Sequence, residues 1–176
     1  MKFFLENRVR AGIILAVIIL ITPIFGTWRS VAVQAGRVEK EFTKKDRFGE
    51  TVSATLSDLA YHSILFADLY EQTLEKDDSC ASLRRAAEEM QNHGNSPTAL
   101  SCEYTIIERS TETLYNRLLT SGNYKDDVRA AHMAVCSDIS ILQKYDAYNE
   151  AAKKYNKLTD LFPASLFAKD AAIVFD

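Results

Sequence analysis

The sequence predicts an all-α protein: an antiparallel four-helix bundle with long first and last helices, preceded by one N-terminal transmembrane helix. Three observations support this fold class. Residues 11–28 form an uncharged apolar run, and apolar residues in the rest of the chain recur at steps of three and four. The chain has only three prolines and six glycines, which is little turn material for an all-β fold.

The apolar run from Ala11 to Trp28 predicts the membrane-spanning helix. Eighteen helical residues cover about 27 Å, close to the roughly 30 Å of a bilayer core. Arg10 and Arg29 bracket the run and can reach the headgroups, while Trp28 suits the membrane interface. We therefore divide the chain into residues 1–30, a short cytoplasmic N-terminus with the anchor, and residues 31–176, the helical bundle.

A cleaved signal peptide is the alternative for the same segment, with residues 33–35 (Val-Gln-Ala) as a small-residue cleavage site. A retained anchor is favoured because Arg29 would place a charge between the apolar run and the cut.

The orientation of the anchor in the membrane is open. A count of Lys and Arg favours a body in the cytoplasm, whereas a short basic N-terminus before a long body favours a body on the periplasmic side. We expect the periplasmic side.

The charge of the chain is uneven, and this limits its partners. The net charge of −3 divides into +3 over residues 1–35 and −6 over residues 36–176. Nucleic acid is not an expected partner of an acidic body, because phosphate binding needs clustered Lys and Arg.

The three cysteines form no CxxC pair, so they predict neither a disulfide framework nor a zinc site. One bridge between Cys80 and Cys102 remains open for an oxidising compartment.

The first bundle helix is predicted to run from Val38 to Leu74, because apolar residues follow one helical face. A weak point is expected near Lys45 and Gly49, where the step between apolar residues lengthens to six. The inward positions are Val38, Phe42, Phe48, Val52, Leu56, Leu59, Phe66, Tyr70 and Leu74.

A short second helix follows residues 77–79 (Asp-Asp-Ser), which offer a cap. Its inward residues are predicted to be Leu83, Ala86, Ala87 and Met90. The third helix is predicted to start with Ser96 as N-cap and Pro97 as first residue, after a break at Gly94. Its inward seam is Leu100, Tyr104, Ile107, Thr111, Leu114 and Leu118, and residues 121–123 (Ser-Gly-Asn) close it.

The last helix is predicted to run from near Tyr124 to about Leu161 and to end before Pro163, which disfavours helix in the preceding residue. Within it the pair Tyr-Asn recurs after seven residues, nearly two helical turns. The repeat consists of Tyr148, Asn149, Tyr155 and Asn156, followed by Phe162 and Pro163. We predict that the tyrosines, Ala152, Thr159 and Phe162 form one packed stripe. The asparagines are predicted to bond across a helix interface and fix its register.

These residues resemble the C-terminal signature of the LemA family, in which two Tyr-Asn pairs seven residues apart lead into Phe-Pro. The order of elements agrees, with an apolar span, a long first helix and a final helix entered through a Tyr-containing loop, here residues 123–124. The resemblance implies a bacterial protein anchored in the inner (cytoplasmic) membrane, with a helix-bundle body and no established catalytic activity. The first helix departs from the family, because residues 44–52 (KKDRFGETV) lack its Trp and Pro. Any role of that motif is not carried over.

The histidines do not form a recognisable catalytic or metal motif. None of the three has Glu three residues before it, so the Glu-x-x-His pairs of a di-iron bundle are missing. Asp58 and His62 share a helix face and are interpreted as a solvated pair. His132 and Cys136 have the spacing of a base and a nucleophile, but a packed histidine is the favoured interpretation. We expect no enzyme, no catalytic residue, no metal and no cofactor.

The expected function is a non-catalytic scaffold or protein-interaction module at the bacterial cell envelope. Its expected partners are membrane lipid, through the N-terminal helix, and other membrane or envelope proteins, through the bundle. Homo-oligomerisation remains open. The alternative is a ligand-sensing helical bundle at the membrane.

Overall fold

The structure, a computed structural model, describes residues 2–74, 77–93, 96–122, 125–168 and 170–175, with side chains from residue 11 onward except at position 20. Over these residues the chain is all-helical and contains no strand, which confirms the predicted class. The elements are α1 (Lys2–Thr43), α2 (Val52–Glu71), α3 (Asp78–His93), α4 (Ser101–Ser121), α5 (Asp126–Gln143), α6 (Asp146–Thr159) and a 3₁₀ turn, Ala164–Leu166.

Helix α1 joins the apolar run to the body without interruption. Its N-terminal part is long and apolar enough to cross a membrane, with a mean hydropathy of 2.2, and its side chains there are exposed. The first buried residue is Val31, and Val38 and Phe42 follow on the same face. The division predicted at residue 30 therefore falls inside one continuous helix.

The predicted long first helix is two helices, because residues 44–51 form a loop. The Asp46 carboxylate accepts hydrogen bonds from the backbone N–H groups of Phe48 (2.7 Å) and Glu50 (3.0 Å), and Gly49 has a φ of 88°. The loop releases Phe48 from the helical face, and this side chain is 74% exposed. The prediction of an inward Phe48 is wrong for that reason. The next helix, α2, begins with a side-chain cap, since the Thr51 hydroxyl accepts a hydrogen bond from the backbone of α2.

The inward faces of α3 and α4 are confirmed. Every predicted inward residue of both helices is buried. Helix α4 ends at Ser121, within the predicted closing residues, and Gly122 follows as a left-handed cap with a φ of 69°. The start of α4 differs from the prediction. Residues 97–99 form a turn and the helix begins at Ser101, so Ser96 and Pro97 do not start it. Gly94 and Asn123 lie outside the described residues.

The predicted long last helix is also two helices. Helix α5 ends at Gln143 and α6 begins at Asp146, because the backbone of Tyr145 (φ −79°, ψ 63°) leaves the helical region. The predicted start at Tyr124 lies outside the described residues. The Tyr145 hydroxyl lies 3.3 Å from the Thr55 hydroxyl at the start of α2, so the two helix breaks are neighbours. Because the two breaks lie side by side, the α1–α6 pair ends and the α2–α5 pair begins at the same height in the body.

The two predicted long helices thus form two shorter antiparallel pairs, α1 with α6 and α2 with α5. In the first pair α1 packs on α6, with the rings of Phe42 and Tyr148 5.8 Å apart at one end and Val31 near Tyr155 at the other. In the second pair α2 packs on α5, and Phe66 of α2 lies beside His132 of α5. Helix α3 covers α2, and α4 packs on α3.

Candidate functional site: a tyrosine–asparagine clasp

The C-terminal segment, residues 171–175, lies along α6 without forming helix or strand. Ala172, Ile173 and Phe175 are each only 2% exposed, so the segment is part of the core. A buried chain that forms no secondary structure must find other partners for its backbone groups. Side chains of the Tyr-Asn repeat on α6 make four hydrogen bonds with them. We call this arrangement of α6 and residues 171–175 the clasp.

Asn156 pairs with both backbone groups of Ala172. Its Nδ2 donates to the Ala172 carbonyl oxygen at 2.8 Å, and its Oδ1 accepts from the Ala172 N–H at 2.7 Å. A carboxamide carries one donor and one acceptor side by side, so it can pair with an extended residue as a neighbouring strand would. Neither a carboxylate nor an apolar side chain can make both bonds.

Tyr148 and Asn149 hold the rest of the segment. The Tyr148 hydroxyl donates to the Ile173 carbonyl oxygen at 3.0 Å, and Asn149 Oδ1 accepts from the Phe175 N–H at 3.1 Å. On the opposite side the Ile173 N–H donates to the Pro97 carbonyl oxygen at 3.0 Å. The segment is therefore held between α6 and the turn that precedes α4.

Asn149 also links the clasp to the helix break. Its Nδ2 donates to the carbonyl oxygen of Gln143 at 3.3 Å, at the end of α5. That carbonyl would otherwise lack a helical partner, because α5 stops there. One buried amide thus binds the end of α5 and the C-terminal segment together.

An aromatic cluster fills the space beneath these hydrogen bonds. The Phe175 ring lies 5.5 Å from Tyr148 and 5.0 Å from Tyr104, which it meets edge-on at 73°. Tyr148 also contacts Phe42 of α1. Burial raises the pKa of Tyr148 well above its usual value, so its hydroxyl remains a neutral donor.

The structure places the members of the predicted stripe differently. Tyr148, Asn149 and Tyr155 are buried and Asn156 is half-buried. The partner of both asparagines is the C-terminal segment, where the prediction gave a neighbouring helix. Phe162 is 82% exposed, so its predicted place in the packed stripe is wrong. The helix has already ended at Thr159, and a half-buried Pro163 follows in a cis peptide bond.

The predicted membrane-interface residues lie on α1. Trp28 is half exposed and its ring is 5.6 Å from Phe25, while Arg29 is exposed. The side chain of Arg10 lies outside the described part of the structure. Trp28 also lines a cleft of about 330 Å³ with Val31 of α1, the turn before α4, Tyr155 of α6 and Phe167.

His62 has a partner that the sequence did not reveal. Its Nδ1 lies 2.7 Å from Oδ2 of Asp138 on α5, so the expected pairing with Asp58 is not the one that forms. Burial raises the pKa of Asp138, and the hydrogen bond from His62 opposes this effect. The two residues are 76 positions apart, so no local pattern could have connected them.

The pair His132 and Cys136 has the contact but not the electrostatics of a catalytic pair. Cys136 Sγ lies 3.4 Å from His132 Nε2, and the imidazole stacks on Tyr115 with ring centroids 3.7 Å apart. Burial lowers the pKa of His132 and raises that of Cys136. A nucleophilic thiol needs the opposite shifts, toward thiolate and imidazolium. The arrangement fits a packed histidine.

Among the residues that the structure describes, no group of three or more His, Cys, Asp or Glu side chains could hold a metal ion. All three cysteines are free thiols, and burial raises the pKa of Cys80 to about 11.

Comparison of the chain with family models, curated proteins and solved structures finds no match.

Proposed function

We propose that this protein is a membrane-anchored helical scaffold, a divergent relative of the LemA family. In this proposal α1 spans the bacterial inner membrane, and the body lies on the periplasmic side and binds other envelope proteins without catalysing a reaction. The observation that carries the proposal is the continuity of α1, from its exposed apolar run to the buried residues Val31, Val38 and Phe42.

A continuous helix fixes the height of the body above the membrane. Val31, where α1 enters the body, follows Trp28 by three residues, or about 4.5 Å along the helix. A flexible linker would let the body move away from the lipid, whereas this helix holds it at the surface. Such fixed placement suits a scaffold whose partners are themselves held at the membrane.

The clasp gives a structural role to the residues that carry the resemblance to the LemA family. The residues that carry the resemblance, Tyr148, Asn149 and Asn156, make the hydrogen bonds that hold the C-terminal segment. Their role in this structure is to build the body. The polar pairs elsewhere, His62 with Asp138 and His132 with Cys136, contact residues of the body itself and favour a structural role in the same way.

Labelling in intact cells tests the anchor and its orientation. Cys102 and Cys136, which are exposed, are replaced by serine, and Ser121→Cys places one accessible thiol at the end of α4. We expect the protein in the membrane fraction and labelling of intact cells by a membrane-impermeant maleimide. Labelling only after lysis would overturn the periplasmic orientation, and recovery in the soluble fraction would overturn the anchor. The variant without Ser121→Cys measures the background from buried Cys80.

Site-specific photocrosslinking in the membrane tests the scaffold role. A photoreactive residue is placed at the exposed positions Arg85 and Lys154, and at buried Leu83 as the control. We expect discrete adducts with membrane or envelope proteins from the exposed positions and none from Leu83. The absence of adducts over the whole exposed surface of the body would contradict a scaffold function.

A further inference from the structure

Three apolar side chains stand exposed in the turn that follows α6. Leu161, Phe162 and Leu166 are 57%, 82% and 69% exposed. Phe162 is the most exposed large apolar side chain among the residues that the structure describes. We call residues 161–166 the apolar turn. Exposed phenylalanine and leucine in one short turn mark a surface that another apolar phase could cover.

The apolar turn lies beside the point where α1 leaves its apolar run. The 3₁₀ turn Ala164–Leu166 packs against α1, and the next residue, Phe167, lines the same cleft as Trp28 and Val31. The opposite end of the α1–α6 pair lies near Phe42, about three helical turns beyond Val31 along α1. The apolar turn is therefore at the end of the body that faces the apolar run.

We propose that the apolar turn inserts into the lipid interface beside α1 and forms a second membrane contact. This inference rests on the proposed function, in which α1 spans the bilayer. A hydrocarbon core of about 30 Å takes roughly 20 helical residues, the distance from Arg10 to Arg29. Val31 then lies about 3 Å outside the core, within the headgroup layer of about 5–7 Å on each side. Groups packed beside Val31 share that layer.

The composition of the turn fits a lipid interface of neutral charge. Asp160 precedes the turn and Lys169 and Asp170 follow it in the sequence, so the charges that flank the turn nearly cancel. A flank with little net charge gains nothing from anionic lipid, so the contact depends on burial of apolar side chains, which interfacial segments place about 5–10 Å into the headgroup boundary. Zwitterionic phosphatidylcholine should therefore be sufficient. The alternative is that the apolar turn binds another protein. In that case the turn stays in water when the purified protein alone is placed in lipid vesicles.

Tryptophan fluorescence in vesicles can test this contact, because Trp28 is the chain's only tryptophan. The full-length protein is reconstituted in phosphatidylcholine that carries bromine on the acyl chain near the headgroup. The reporter is the double variant Trp28→Phe/Phe162→Trp. The matched control is Trp28→Phe/Phe48→Trp, because Phe48 is also a highly exposed phenylalanine, but in the loop beyond Thr43. That loop starts at the C-terminal end of α1, which is about 22 Å from Trp28 along the helix axis.

We expect bromolipid to quench wild-type Trp28 and the Phe162→Trp reporter to a similar extent, and to leave the Phe48→Trp control unquenched. If Trp28 is quenched while the Phe162→Trp reporter is quenched only by a water-soluble agent, the apolar turn does not enter lipid and the inference is overturned, although the anchor stands. If Trp28 itself is unquenched, α1 does not span the bilayer and the proposed function fails first. Quenching of the Phe48→Trp control would show a body lying flat on the membrane, which contradicts the geometry argued above.

Discussion

Replacement of Asn156 by alanine tests whether the clasp holds the C-terminal segment in place. The substitution removes both hydrogen bonds to Ala172 and leaves the rest of α6 unchanged. Ala172 is 2% exposed, so water reaches its backbone groups only if the segment moves. We therefore expect the variant to fold but to release residues 171–175 more often than the wild-type protein does.

The magnitude follows from the number of bonds lost. Each net hydrogen bond contributes about 0.5–1.5 kcal/mol, so two contribute roughly 1–3 kcal/mol. Alanine returns about 0.5 kcal/mol through its higher helix propensity, which leaves a net loss of about 0.5–2.5 kcal/mol. Burial of Ile173 and Phe175 is worth about 1.5–3 kcal/mol each. The apolar contacts therefore keep the segment bound most of the time, and the effect appears as more frequent opening.

Hydrogen–deuterium exchange of the C-terminal peptide, read by mass spectrometry, measures this opening. A loss of about 0.5–2.5 kcal/mol corresponds to exchange faster by roughly 2- to 70-fold at the protected amides of Ala172, Ile173 and Phe175. Asn116→Ala on the exposed face of α4 is the matched control, because it gives the same gain in helix propensity without touching the clasp. Equal exchange in the two variants, or an unprotected C-terminal peptide in the wild-type protein, would refute the clasp.

Three further substitutions test other parts of the body, each by thermal or urea unfolding of the full chain in mild detergent. Tyr148→Phe should cost about 1–3 kcal/mol, since it leaves a buried carbonyl unpaired, whereas Tyr61→Phe, at a 60% exposed position, should stay within about 0.5 kcal/mol of wild type; equal costs would place the wrong tyrosine in the core. Thr111→Val should stabilise by about 1 kcal/mol because the Thr111 hydroxyl is buried without a partner, and no such gain should follow Thr113→Val, whose hydroxyl is exposed and bonded. Asp138→Asn should gain stability relative to wild type as pH rises from about 4, because the folded carboxyl has a raised pKa, holds its proton more tightly than the unfolded chain and loses stability when it ionises. A difference in melting temperature that does not change with pH between about 4 and 6 would contradict that sign.

The helical faces could be predicted from sequence because periodicity is a local property. The seam of α4, from Leu100 to Leu118, is buried as its spacing predicts. The two breaks were harder, since apolar spacing continues on both sides of them. For the first break the signals were present in the sequence: Asp46 for a side-chain turn, Gly49 for a positive φ and Thr51 for an N-cap. Together they outweigh the periodicity, which predicts one helix through this region.

The second break could not be found in this way. Residues 144–145 contain neither Gly nor Pro, and the helix stops because α5 packs on α2 while α6 packs on α1. That change of partner is a property of the tertiary structure, which no local pattern records.

For Phe162, in contrast, the sequence did contain the signal. The same proline argument that predicts the end of the helix also removes Phe162 from a helical stripe, so its inward position conflicted with the rest of the prediction.

The Tyr-Asn repeat was recognised as structural, but its partner was not. Side-chain amides were expected to pair across two helices, where period and register can be read from sequence. They pair instead with an extended backbone, and any residue can supply backbone groups. The small and apolar residues after position 170 therefore do not indicate, from sequence, that their backbone pairs with the repeat.

The clasp and the apolar turn are two consequences of one loop closure. Asn156 and Ala172 are 16 positions apart and joined by two hydrogen bonds, so the chain between them must leave α6 and return along it. The reversal occurs at the end of the α1–α6 pair where α1 enters its apolar run, and it brings Leu161, Phe162 and Leu166 to the surface there. The repeat on α6 thereby sets where the proposed lipid contact lies, through the backbone that it holds rather than through any contact of its own with the membrane.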